Sequence, residues 1–213
     1  MIVTFLEMQG ENMATPPSEG KLIYHITSID NLPSILKYGL LSRELINKKN
    51  IGFTDVADPE ILNRREQYTE ALSQYVLFHF FAKNPFDGAV CDRYGSENMV
   101  IIAVRRSICD KRGYRVIPSH PLDSDMPNIY SYKDGFEKVR WDILDDQAHR
   151  DYHDQTVRKA CMAECIVRDL VPVSDFAFIY VNNMKAKNQI LKMDNSFTIK
   201  DKIKVVPGMF PVN

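Results

Sequence analysis

The chain has 213 residues, 45% of them hydrophobic, enough to bury a sizeable core, and no shift of composition divides it, so one domain is expected. A formal net charge of −1 excludes a general electrostatic affinity for nucleic acid and leaves any such binding to local basic clusters. The four cysteines, Cys91, Cys109, Cys161 and Cys165, form no Cys-x-x-Cys pair and have no histidine at zinc-ligand spacing, so no metal is expected and a reducing cytoplasm fits them best.

Met1 to Met8 is mildly apolar but lacks a basic start and a cleavage site, and Glu7 interrupts it, so a signal peptide is not expected. Gln9 to Gly20, with Pro16-Pro17, reads as flexible chain, and Met13 is a candidate natural start. The expected division is therefore a lead-in over 1–20 and a single domain over 21–213. The longest apolar run, Tyr75 to Ala82, is broken by His79 and is too short to span a bilayer, so no membrane association is expected.

Tyr24–Leu40 reads as a strand that turns at once into a short helix. Asp30 is the expected N-cap, Pro33 falls in the tolerated first turn, Leu32, Ile35 and Leu36 recur at helical spacing, and Gly39 suits a left-handed stop. His25 is thereby held at a strand end beside a helix, where unpaired backbone donors collect. Ser42 to Asn50 is polar, and Asp55 to Tyr68 carries a helix start at Asp58-Pro59, with Arg64 and Arg65 on that helix or just beyond it.

Tyr75 to Phe81 is aromatic and reads as a strand, with a turn expected at Asn84-Pro85-Phe86-Asp87-Gly88. Asn98 to Val104 is continuously apolar, as a strand buried on both faces would be. Tyr114 to Ile117 is a further strand that stops at Pro118-Ser119-His120-Pro121, which places His120 rigidly between prolines. Leu122 to Tyr132 reads as a loop, Gly135 to Leu144 has a weak helical pattern, and Asp145 to Thr156 is a polar loop of the kind that carries substrate contacts.

Met162 to Val167 and Phe176 to Val181 return to strand patterns, Asn183 to Leu191 reads as a short amphipathic helix, and Ile203 to Val206 as a last strand. Strands that follow one another without regular intervening helices predict an α+β fold. Neither a Gly-x-Gly-x-x-Gly run nor a Walker pattern is present.

Glu164 is the oddity among these elements, a carboxylate set between Ala163 and the apolar Cys165-Ile166-Val167, costly to bury charged without partners. From the residues alone it either carries chemistry, faces water, or pairs with an arginine. His25 by itself reads as a satisfied core histidine as readily as a ligand. Arg64 and Arg65 are suited to clamping a diphosphate, although an exposed arginine pair is more often simply solvated.

Taken together, the Tyr-His-Ile-Thr-x-Ile-x-Asn-Leu-x-x-Ile-Leu-x-x-Gly-Leu run from Tyr24, the Ile-x-x-Arg-Arg element, the aromatic strand ending in Asn-Pro and the Ala-Glu before an apolar run resemble the DarT family of toxin DNA ADP-ribosyltransferases. The resemblance covers Lys21 to Val167, with the tail through Met209-Phe210 in keeping. Phe78-His79-Phe80 and Asn84-Pro85-Phe86-Asp87 depart from the commonest Pro-Phe-Tyr-Phe wording, which suggests a divergent branch directed to guanosine or to thymidine.

The resemblance implies an ADP-ribosyltransferase fold, two small packed sheets flanking a cleft for NAD, the co-substrate. It implies transfer of ADP-ribose to a base in single-stranded DNA with release of nicotinamide. Glu164 is then expected to hold the ribose, stabilise developing positive charge and accept the proton of the attacking nitrogen. Arg64, with Arg65 as rival, takes the place of the catalytic arginine. His25, Thr27, Asn31, Arg43 and Arg64 are expected to bind NAD, and His120, Arg150 and Arg158 the DNA, whose unstacked base is cheap to insert. A partner antitoxin that removes the modification is implied, and a monomer is expected. The alternatives are a metal-independent ribonuclease using His25, His79 or His120, and a non-catalytic module that binds NAD or ADP-ribose.

Overall fold

The computed structural model describes residues 15–60, 72–121 and 128–211. Ten strands among these residues form an eight-stranded mixed sheet in the order β10-β9-β4-β1-β3-β7-β5-β6 and a two-stranded sheet, β2-β8. They are β1 (Leu22–Ser28), β2 (Leu40–Leu41), β3 (Tyr75–His79), β4 (Met99–Arg105), β5 (Arg115–Ile117), β6 (Tyr130–Ser131), β7 (Glu164–Arg168), β8 (Leu170–Val171), β9 (Phe176–Val181) and β10 (Ile203–Val205). The helices are α1 (Leu32–Tyr38), α2 (Arg43–Lys48), α3 (Pro85–Tyr94), α4 (Tyr132–Lys138), α5 (Trp141–Asp145), α6 (Gln155–Ala160) and α7 (Met184–Ile190), with several short 3₁₀ turns between them. The expected α+β class holds.

The large sheet is two halves joined at a narrow seam. β1 pairs with β4 along its whole length, from Leu22 opposite Arg105 to Ser28 opposite Met99. β3 pairs just as fully with β7, from Tyr75 opposite Arg168 to His79 opposite Glu164. Between the halves, β1 meets β3 at Tyr24 opposite His79. Beyond that point the two strands part, and the expected picture of sheets flanking a cleft is realised as one sheet that splits.

The core explains why β4 is apolar throughout. Val100, Ile102 and Val104 turn to the larger cluster with Ile23, Leu32, Phe78 and Ile179, while Met99 and Ile101 turn to a second cluster with Ile26, Val90, Cys91 and Phe210. Both faces are covered, so alternation disappears. All four cysteines are buried and free.

The first helix starts differently from the expectation. The Ser28 hydroxyl, not Asp30, accepts a backbone bond, from Asp30 N–H, and closes a 3₁₀ turn over Ile29–Asn31 that runs into α1. Gly39 does end the helix, with φ +86°, and a Cβ there would meet the backbone carbonyl oxygen of Val171 at 2.9 Å, so glycine is required for both conformation and approach. The polar run after it is helical: Ser42 caps α2 through the N–H of Leu45. Asn84-Pro85 is likewise a helix start and not a turn. Asn84 Oδ1 accepts from the N–H groups of Phe86 and Asp87, and proline takes the first position of the ten-residue α3.

The described part of the expected lead-in, Thr15–Gly20, packs on the domain. Buried Arg106 donates to the carbonyls of Pro17, Ser18, Leu22 and Phe80, with its guanidinium 5.2 Å from the centre of the Phe80 ring, and Ser18 bonds both carboxylate oxygens of Asp145. Carbonyl oxygens and aromatic faces replace the water this cation gives up.

Candidate active site

Where β1 and β3 part, a cleft opens that is lined by His25, Thr27 and Asn31 on one side and by Tyr75, Leu77, His79 and Glu164 on the other. Arg43, the Ile51–Asp58 segment, Phe86, His120 and Met162 complete its walls. Its cavity volume is near 170 Å³, and it opens to solvent.

His25 stands at the seam. Its Nδ1 lies 2.7 Å from the carbonyl oxygen of Leu77 on the opposite half, and since a carbonyl only accepts, Nδ1 carries the proton. The side chain thus supplies a cross-link where the backbone ladder stops. Desolvation lowers its pKa to about 4, helped by the nearby charges of His79 and Arg43 and opposed by the Leu77 carbonyl. At neutral pH the ring is uncharged, with Nε2 left as an acceptor.

Asn31 is buried and its amide is fully engaged. Nδ2 donates to Thr27 Oγ1 (3.0 Å) and to the Thr54 carbonyl (2.9 Å), while Oδ1 accepts from Thr54 N–H (2.7 Å). Arg43 makes a two-pronged ion pair with Asp55, at 2.9 and 3.0 Å. These two residues therefore hold the Ile51–Asp58 wall in place, and they reach the cleft as part of that wall.

On the far side Glu164 is 1% exposed and begins β7, opposite His79 on β3 and Ile117 on β5. Its carboxylate thus stands at a strand start beside the cavity, with hydrophobic neighbours along the strand. His79 Nδ1 lies 3.3 Å from the carbonyl of Ala163.

The other expected site residues divide. Arg64 and Arg65 lie outside the described residues. His120 lines the cleft, with its backbone N–H bonded to the Lys159 carbonyl. Arg150 stacks on Phe81 with its guanidinium 4.3 Å from the ring centre and donates to the Leu144 carbonyl. Arg158 is exposed on α6, and neither of these arginines lines the cleft. The polar segment after Leu144 is also held by Tyr152, which donates to the Lys83 carbonyl. His79, the Ile51–Asp58 segment and Asp87 were not singled out for the transferase site from the sequence. For Asp87, burial pushes its pKa up to about 7 against the N–H groups of Lys83 and Asn84 and the Asn84 side chain, which lower it.

The chain is similar to proteins of known family. The family described as "DarT: ssDNA thymidine ADP-ribosyltransferase, DarT" matches residues 24–211. A curated relative from Thermosipho africanus, a "DNA ADP-ribosyl transferase-DNA ADP-ribosyl glycohydrolase fusion protein", is 28% identical over 183 residues, 83% of this chain. The chain spans about half the length of that relative, 46%. Among solved structures, Thermus sp. 2.9 DarT in complex with ADP-ribosylated ssDNA is similar with a TM-score of 0.76 and 20% identity over 90% of this chain and 96% of the other. The same protein in complex with NAD+ gives 0.72 and 18% over 91% and 98%. Thermosipho africanus DarTG in complex with ADP-ribose gives 0.75 and 23% over 90% and 51%.

Proposed function

Because this chain belongs to the DarT family of single-stranded DNA ADP-ribosyltransferases, we propose that it transfers ADP-ribose from NAD to a nucleobase of single-stranded DNA, as the toxin of a toxin–antitoxin pair. The observation that carries this reading is that His25 and buried Glu164, from opposite halves of the sheet, line one cleft.

NAD supplies the ADP-ribosyl group and its leaving nicotinamide. The chain's residues then have separable tasks. His25, neutral and fixed at Nδ1, offers Nε2 to a ribose hydroxyl. Arg43 and Asn31 shape the wall through Asp55 and Thr54. Glu164 meets positive charge developing on the ribose with its own negative charge and takes the proton of the base nitrogen that attacks. Arg64 or Arg65 steadies the diphosphate, a role that suits a guanidinium. His120 stands at the mouth as the DNA contact, with Arg150 and Arg158 acting outside the cleft.

Thymidine is the first acceptor to test, given the description of the matching family, and guanosine is the other. The bond of Glu164 to chemistry makes the test direct: incubate the protein with NAD and a panel of oligonucleotides, and locate the added mass. Glu164→Gln removes the adduct if the reading is right. RNA cleavage without NAD would instead favour the ribonuclease reading, for which His25, His79 and His120 do share the cleft. Neither product, with NAD unchanged after long incubation, would leave a binding module. The glycohydrolase half of the Thermosipho relative supports an antitoxin that strips the adduct. The four buried thiols support a cytoplasmic site of action, and a monomer is the proposed form.

A further inference from the structure

We propose that His79 is a positioning residue for Glu164, holding the start of β7 so that the carboxylate stands at a fixed place in the cleft. The inference rests on the transferase reading for its kinetic consequences, but not for its structural ones. His79 ends β3 and is the register partner of Glu164. Antiparallel partners project to the same face, with Cβ atoms about 4.5–5.5 Å apart. Both side chains line the cleft, as do Tyr75 and Leu77 of the same strand face, so His79 and Glu164 are the ionisable neighbours that end this wall.

The contact at Nδ1 gives the ring its orientation. The Ala163 carbonyl, 3.3 Å away, only accepts, so Nδ1 carries the proton, and the residue anchored is the one that precedes Glu164. The ring is also packed at 5.9 Å from that of Phe86, the second residue of α3, which limits its rotation. An imidazole 6% exposed costs more to bury than a hydrocarbon of its size. Here it ties a strand end whose next residue is the buried carboxylate. A displacement of that carboxylate by about 1 Å would slow the chemistry by ~100-fold without altering how NAD is first bound.

Two substitutions separate this role from simple packing. His79→Phe keeps the ring and loses both nitrogens, whereas His79→Asn keeps a donor near the position of Nδ1. His79→Phe is expected to lower kcat for transfer by ~10–100-fold with KM for NAD little changed, and His79→Asn to recover most of that loss. In protein carrying ¹³C-labelled glutamate, the Glu164 carboxyl resonance, assigned by its loss in Glu164→Gln, is expected to move in His79→Phe and return in His79→Asn. An unchanged kcat and an unmoved resonance in His79→Phe overturn the proposal, as does a loss that His79→Asn does not relieve. If the unsubstituted chain transfers nothing, the transferase reading fails, and the resonance alone still decides the positioning role. Should His79→Phe not fold, His79→Asn and His79→Gln are compared, and equal resonance positions in those two overturn it.

Discussion

The two walls of the cleft differ in the side chains they present. On the β1 side the polar side chains are satisfied within the protein: Asn31 by Thr27 and Thr54, Arg43 by Asp55, and His25 Nδ1 by Leu77 across the seam. On the β3–β7 side a carboxylate is buried at a strand start with hydrophobic residues following it. The first wall is a frame whose shape is set before anything binds. The second carries the group proposed to react. Substitutions on the two walls should therefore fail in different ways, in affinity on one and in rate on the other.

The largest effect belongs to the second wall. Glu164→Gln keeps the volume and removes the charge and the proton acceptor, so adduct formation on an oligonucleotide should fall by ~10²–10⁴-fold. Binding of NAD, measured by calorimetry, should change little. If transfer survives in Glu164→Gln, the division between frame and reactive wall is wrong.

A second test uses two buried titratable groups, His25 in the cleft and Asp87 on α3. His25, with a pKa lowered to about 4, contributes stability that is complete above its ordinary value of 6.5 and is lost as pH falls toward 4. Asp87, raised to about 7 from 3.8, behaves in the opposite sense: its contribution is complete below 3.8 and is lost as pH rises through 7. Between about pH 4 and 6.5 the unfolded chain binds one proton more at His25 and one fewer at Asp87, so the two slopes oppose one another. Asp87→Asn keeps an oxygen for the Lys83 N–H and removes one slope. The unfolding free energy of that variant, read from urea titrations, should then fall on acidification by up to ~3 kcal/mol, at about 1.4 kcal/mol per pH unit, and a flat profile would refute the assignment.

On the frame wall, Asn31→Ala leaves the Thr54 N–H and carbonyl without the amide that holds them. Losing such partners costs about 1–3 kcal/mol, and the displaced wall should raise KM for NAD by ~10-fold while kcat stays near that of the unsubstituted protein. A fall in kcat with KM unmoved would place Asn31 with the reactive group instead.

Much of this arrangement is written locally, and those parts were legible. The strand–helix unit at Tyr24–Leu40 has its apolar spacing and its glycine within seventeen residues, and β4 announces its burial by unbroken apolarity. Three helices escaped notice because their caps are polar residues that equally mark loops: Ser42 before α2, Asn84-Pro85 before α3, and Asp154 before α6, which begins inside the expected polar loop. α3 buries Asp87, Val90 and Cys91 and leaves Ala89, Asp92 and Arg93 exposed, too faint a stripe to read as a helical period. The roles of Asn31 and Arg43 were hidden for a different reason. Their partners stand 23 and 12 residues away, and only the folded chain brings Thr54 and Asp55 back to them. Glu164 was conspicuous for its apolar neighbours, whereas His79, within an aromatic strand, gains its meaning only from the register that sets it opposite.

The smallest effect decides what Arg43 does. A guanidinium beside a cleft expected to hold a diphosphate can bind the ligand or brace the wall, and the ion pair with Asp55 favours bracing. Both partners are partly exposed, so the pair is worth about 0.2–1 kcal/mol and either Arg43→Ala or Asp55→Ala should raise KM for NAD only ~2–5-fold. For a brace, the two single substitutions act alike and the double variant is no worse than either, because each already removes the whole contact. For a phosphate ligand, Arg43→Ala is much the more harmful, and Asp55→Ala releases the guanidinium and lowers KM. The sign of the Asp55→Ala effect, read from NAD titrations at low and high salt, is therefore sufficient to tell a frame from a binding group.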